Sequence, residues 1–223
     1  MIGMFLFTML NLNPIVAKSC IIFYTGGSNS MSHNLYSDFL STFQDIDIYK
    51  IPFKENDSNI INKFFNELND NYDQINLMGH SSGCVRVINH CNPSVKKIIL
   101  LDPVKTFNFD KTKDLNYLDD VLIVNAEKAY KWSKIPPFVP FIPGFKIDEI
   151  DINIDRDKVK RLNVKDYGHC DIIDKPWRNI MHYSRLSVGH NNRNNIRVYH
   201  KFLSNMIIKF INYYPNKIGS LNV

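Results

Sequence analysis

The sequence predicts an α/β fold, a mostly parallel sheet flanked by helices, and three observations carry that reading. Short apolar runs recur at residues 19–24, 75–78, 95–101 and 121–125, and a last strand is read at 159–164. Segments with helical spacing lie between them, at 35–43, 58–68 and 84–91. The runs are continuous rather than alternating, which is the mark of strands covered on both faces.

The elements follow in order. Residues 19–24 (SCIIFY) form a buried strand that stops at Thr25, Gly26, Gly27 and Ser28. Leu35, Tyr36, Phe39, Leu40 and Phe43 then share one helical face, with Ser32 as a cap. Residues 45–51 alternate as a strand and Pro52 ends it; Asp57 or Ser58 caps a helix carrying Ile60, Ile61, Phe64, Phe65 and Leu68. After the run 75–78, the helix that opens near Cys84 must stop by Asn92 and Pro93, because proline cannot continue it. Further strands at 95–101, 121–125 and 159–164 lead to a closing amphipathic helix at about 195–214, whose inner face carries Ile196, Tyr199, Leu203, Met206, Ile207 and Phe210.

The chemistry centres on Gly79-His80-Ser81-Ser82-Gly83, set between a strand and a helix. A GxSxG turn in that setting is a nucleophile elbow, which holds a serine on a sharp turn above the end of a parallel sheet. Ser81 is the expected nucleophile. A serine hydroxyl needs a base to take its proton and a carboxylate to orient the base. His169, late in the chain just after a strand and a glycine, is the expected base, and Asp102, at the end of 95–101, the expected acid. Glu127 and a later aspartate are the rival acids. The oxyanion donors expected are backbone N–H groups of Ser82 and of Gly26, Gly27 or Ser28. From 131 to 145 four prolines alternate with large apolar residues, and Trp132, Phe138 and Phe141 are expected to wall either a surface flap or an apolar substrate pocket.

Three strings also resemble the catalytic blocks of chlorophyllases, within the wider α/β-hydrolase superfamily: Gly79 to Gly83, Leu101-Asp102-Pro103-Val104, and the run from Val164 to Asp174 through Gly168-His169-Cys170-Asp171. The resemblance covers most of the chain from Cys20 onward. It implies an α/β-hydrolase fold without a large cap domain, no cofactor, and a triad of Ser81, Asp102 and His169. The activity expected is cleavage of a carboxylic ester with an apolar portion. The alternatives are a catalytically silent relative that binds a lipid or protein partner, and an acyltransferase using the same triad.

Composition bounds the rest. At 223 residues, 44% hydrophobic and 22% charged, the chain fits one domain over 18–223. Residues 1–17 read as a leader, which would make the protein secreted or endomembrane, or as an N-terminal arm of a cytoplasmic one. Four cysteines without a CxxC and seven histidines without an HExxH give no metal or disulfide framework. A net charge of +5, with Lys and Arg interspersed among acids and no basic block, argues against nucleic acid as partner. It allows at most weak attraction to a membrane surface.

Overall fold

The computed structural model describes residues 18–26, 35–51, 58–104, 112–129, 152–183, 187–190 and 192–212. Six strands, β1 (Ser19–Tyr24), β2 (Asp47–Ile51), β3 (Gln74–His80), β4 (Val95–Leu101), β5 (Asp120–Ala126) and β6 (Val159–Val164), form one sheet in the order β2-β1-β3-β4-β5-β6, every pair parallel. The helices are α1 (Ser37–Leu40), α2 (Ser58–Asn69), α3 (Gly83–His90), α4 (Lys175–Tyr183) and α5 (Arg193–Asn212).

The continuous apolar strands are explained by a core on each side of the sheet. In β1, Cys20, Ile22 and Tyr24 face a core shared with Ile61 and Phe65 of α2 and Val87 of α3. Ile21 and Phe23 face the other, with Phe39 of α1 and Leu203 and Ile207 of α5. Alternation along each strand thus supplies two cores rather than one core and a wet face. Asn76, taken into these layers, donates to the Cys20 carbonyl at 3.0 Å. Lys97, buried in β4, donates to the Phe210 and Ile211 carbonyls at 2.9 and 3.0 Å, placing a cation at the C-terminal end of α5 where the helix dipole favours it.

Four elements differ from the sequence expectation. The strand expected at 45–51 begins at Asp47, because Asp45 adopts a left-handed conformation (φ 63°) that turns the chain first. The helical face at 35–43 is kept, but regular helix is limited to Ser37–Leu40. There the Ser41 and Thr42 hydroxyls donate to the Asp38 and Phe39 carbonyls at 2.9 and 2.6 Å, a local bonding that competes with helix. Helix α4 was not expected. Pro176 sits in its first turn, where a missing N–H costs nothing. The closing helix starts two residues early because the Asn192 side chain accepts the N–H of Asn194 at 2.8 Å as a cap.

This sheet order makes a switch point between β1 and β3: the chain leaves β1 for β2 on one side and returns as β3 on the other. Parallel sheets carry their sites beyond the strand ends at such a point. With the serine turn joining β3 to α3 there, the chain has a minimal α/β-hydrolase fold. The turn is built by close approach: a Cβ on Gly83 would lie 2.4 Å from the Tyr24 carbonyl oxygen, and one on Gly79 would lie 2.8 Å from the Gly83 backbone. Both obstacles are main chain and cannot swing aside. Gly83→Ala is therefore expected to cost about 1–3 kcal/mol in urea unfolding, and an unchanged midpoint would show that β1 and α3 are not clamped together as described.

Candidate active site

Ser81 stands immediately after β3 with φ 56°, and Asp102 immediately after β4 with φ 43°. Left-handed backbone at a residue with a side chain costs about 1–3 kcal/mol, so two such residues at adjacent strand ends are held by their surroundings. The holding bonds interlock the two turns. Ser81 N–H donates to the Leu101 carbonyl at 3.0 Å, and Val104 N–H donates back to the Ser81 carbonyl at 3.2 Å. Asp102 N–H donates to Val124 of β5 at 2.7 Å.

His169 opens a single 3-10 turn (His169–Ile172) beyond β6, and its side chain returns over the strand ends. Its Nε2 lies 3.0 Å from Ser81 Oγ. Its Nδ1 lies 3.9 Å from Asp102 Oδ2, on the acid's side but beyond hydrogen-bond length. The second oxygen, Asp102 Oδ1, accepts Ala126 N–H at 2.6 Å, which fixes the carboxylate plane. All three are buried, at 9% exposure for Ser81 and 3% for Asp102 and His169.

The rival acids are engaged elsewhere. Glu127 is exposed and its Oε2 accepts Asp166 N–H at 2.8 Å. Asp171 is fully buried; it accepts the Gly168 N–H at 2.8 Å and the His190 N–H at 3.0 Å, so it ties the His169 turn to the segment 187–190. Asp174 accepts the Ser37 and Asp38 N–H groups at 2.9 and 3.0 Å.

The loop after β1 is placed as expected only in part. Gly26 packs directly on Ser81, since a Cβ there would lie 2.7 Å from Ser81 Cβ. Its N–H, however, is turned to the Tyr36 hydroxyl at 3.2 Å and so is not aimed at an oxyanion. Ser82 follows Ser81 at the position just before α3, with no side-chain capping bond. Gly27, Ser28, Trp132, Phe138 and Phe141 lie outside the described residues.

Two residues without an expected role complete the site. His80 Nε2 is 3.1 Å from the His169 carbonyl oxygen, and its Nδ1 is 2.9 Å from the Tyr36 hydroxyl. A carbonyl only accepts, so Nε2 carries the His80 proton, Nδ1 accepts from Tyr36, and the Tyr36 oxygen accepts the Gly26 N–H. This chain of bonds joins the loop after β1, the turn at Ser81 and the main chain of His169. His80 could have been suspected because it lies inside the GxSxG string, but its burial was not legible. Tyr36 showed only as one more apolar position on a helical face.

Burial sets the electrostatics. It holds His169 well below the ordinary histidine range, with the neighbouring His80 ring, centroids 4.7 Å apart, lowering it further. Burial lowers His80 to about 4, opposed by its bond to the His169 carbonyl. It pushes Asp102 up to about 7, opposed by the Ala126 N–H and assisted by Asp171. A neutral imidazole that accepts from Ser81 at Nε2 carries its proton on Nδ1, facing Asp102. His80, Asp102 and His169 also form the one group with metal-ligand spacing among the described residues. Both His80 nitrogens and His169 Nε2 already have hydrogen-bond partners, an arrangement suited to proton transfer.

No protein-family model matches the chain, and no curated protein matches it in sequence. Among solved structures, the esterase domain of a Rhodothermus marinus protein is 11% identical with a TM-score of 0.44, covering 88% of each chain. A YdeN-like protein from Pectobacterium atrosepticum is 13% identical with a TM-score of 0.43, covering 85% of this chain and 92% of its own. A metagenome-derived lipolytic enzyme of the LipS and LipT pair is 10% identical with a TM-score of 0.40, covering 76% and 92%. The fold assignment rests on the strand order and the turn at Ser81, not on these likenesses.

The Tyr36 and His80 bonds can be tested apart from any reaction. Tyr36→Phe removes a buried hydroxyl with two partners and is expected to cost about 1–3 kcal/mol of stability. His80 has a folded pKa of about 4, below its ordinary 6.5, so the stability it contributes is present above 6.5 and is lost as pH falls through 4. His80→Gln cannot titrate. Its unfolding free energy should fall less steeply than wild type between those pH values, and parallel curves would show that His80 is not buried neutral.

Proposed function

We propose that the protein is a serine hydrolase that cleaves a carboxylic ester with an apolar portion through an acyl-enzyme on Ser81. The observation that carries this reading is the 3.0 Å contact between Ser81 Oγ, on its left-handed turn, and His169 Nε2, with Asp102 on the far side of the imidazole. The resemblance of the three motif blocks to chlorophyllases supports an ester as substrate.

In the first half-reaction His169 Nε2 takes the Ser81 hydroxyl proton as Oγ bonds to the ester carbonyl carbon. The carbonyl π pair moves onto oxygen, giving a tetrahedral oxyanion. The N–H of Ser82, the residue after Ser81, is the proposed main-chain donor to that oxyanion, with Gly27 or Ser28 as the second. Collapse of the intermediate breaks the bond to the alcohol oxygen, which leaves with the proton from His169. Water then repeats the sequence: His169 takes its proton, hydroxide oxygen bonds to the acyl carbon, and Ser81 leaves with the proton.

The imidazolium formed in each half-reaction is where Asp102 matters. A carboxylate at the Nδ1 side stabilises that charge in a buried site, and the 3.9 Å separation is of the kind that tightens when substrate is bound. A protonated Asp102 would neither accept from Nδ1 nor offset the charge. Because Asp102 loses its proton only near pH 7, the rate is expected to rise with pH through about 7.

A fluorophosphonate probe should label the wild-type protein at Ser81 and leave Ser81→Ala unlabelled; labelling that survives in Ser81→Ala would end the assignment. Asp102→Asn should lower kcat by about 10³–10⁴-fold on a p-nitrophenyl ester, with the rise near pH 7 abolished. Full activity in that variant would return the acid's role to Glu127.

A further inference from the structure

The chain's net charge is unevenly distributed. Residues 175–223 hold eight of the 27 Lys and Arg and none of the 22 Asp and Glu, so they carry +8 while residues 1–174 carry −3. A charge asymmetry of this size along one chain points to an anionic partner.

Helices α4 and α5 are where this charge reaches the surface among the described residues. Lys175, Arg193, Arg197, Lys201 and Lys209 are exposed. On α5, Asn194, Arg197, Val198, Lys201, Phe202, Asn205 and Lys209 are exposed and make one continuous stripe at helical spacing, and Arg193, Asn195 and Asn212 are exposed at the helix ends. The acids packed nearby turn inward: Asp171 and Asp174 spend their oxygens on main-chain N–H groups. Helix α1, which packs on α5, adds one exposed acid, Asp38.

The same stretch breaks the rule that keeps large apolar side chains covered. Of the eight large hydrophobic residues exposed among the described positions, six lie between 177 and 202. On α4 these are Trp177, Ile180 and Tyr183, three residues apart along one face, with Tyr183 93% exposed. On α5 they are Val198, 64% exposed, and Phe202, one turn later. Both helices are anchored to the turn that carries the base. His182 Nε2 of α4 lies 3.3 Å from the Asp171 carboxylate, and His200 Nε2 of α5 lies 2.9 Å from the Asp171 carbonyl oxygen.

We propose that α4 and α5 form a docking surface for an anionic lipid membrane, which would bring the His169 turn to the lipid interface. Lys and Arg at a lipid surface are drawn to anionic headgroups, while aromatic and aliphatic side chains on the same face insert at the acyl boundary. Nucleic acid would reward the charge and the aromatic rings, but Ile180 and Val198 offer it nothing. No helix among the described residues is long and apolar enough to cross a membrane, so the association is peripheral. Docking itself is independent of the chemistry at Ser81; that the membrane also supplies the ester rests on the proposed hydrolase reading.

The full-length protein should co-sediment with phosphatidylcholine vesicles containing phosphatidylserine far more than with phosphatidylcholine alone, and added salt should weaken the binding. Arg197→Gln with Lys201→Gln should lower partitioning about 30-fold, at roughly a fivefold loss per charge. Ile180→Ser with Phe202→Ser should weaken it further, with circular dichroism and the thermal midpoint of both variants matching wild type. Equal partitioning on neutral and anionic vesicles, no partitioning at all, or unchanged partitioning in the folded double variants would overturn the proposal, as would tighter binding to DNA than to vesicles. Ser81→Ala should partition like wild type. A wild-type protein that binds anionic vesicles but takes no fluorophosphonate label would retain the docking surface and lose the hydrolase reading.

Discussion

The structure depends on a close approach of main chain to main chain around Ser81. Gly26, Gly79 and Gly83 stand where any side chain would strike backbone or the nucleophile's own Cβ. Their absence of bulk lets β1, β3 and α3 meet within one turn of each other. The left-handed serine is a product of that meeting. Its main chain is bonded to the turn after β4 in both directions, so Ser81 and Asp102 are set by one piece of interlocked backbone rather than by two independent loops.

The third residue of the site is held differently. His169 is distant in sequence and arrives on a short turn, and what fixes it is polar: His80 to its carbonyl, Asp171 to the main chain on either side of its turn, and the helices beyond. A parallel sheet thereby supplies rigid positions for two members of the site and a hydrogen-bonded cradle for the third. Buried polar cradles stay favourable only when every member finds a partner, which explains why Tyr36, Gly26 and His80 form a chain and not isolated contacts.

Much of this was legible in the sequence because the signals were local. Apolar runs marked the central strands, alternation marked β2, and the GxSxG string leading from β3 into α3 marked Ser81. Asp102 and His169 were identified by their positions after strands, and the structure brings both to Ser81, although the 3.9 Å spacing between them lay beyond sequence reading. The misses have separate causes. Tyr36, His80 and the inward turn of the Gly26 N–H are long-range polar contacts, which leave no periodic trace. Helix α4 was hidden by Pro176 and by an apolar face that is exposed rather than packed. The charge asymmetry was present in the sequence all along, and was masked by averaging over the whole chain.

Strand order also bears on how the chain reaches this state. β1 is made first, yet each of its residues pairs with partners far along the chain: Cys20 lies opposite Asp47 and Ile75, which are 27 and 55 residues further on. With every strand parallel, no hairpin can stabilise a neighbour early, and contacts of such separation make for slow folding. A fully apolar β1 must therefore wait, uncovered, until β3 has been made, and that interval is when the chain is most vulnerable to aggregation.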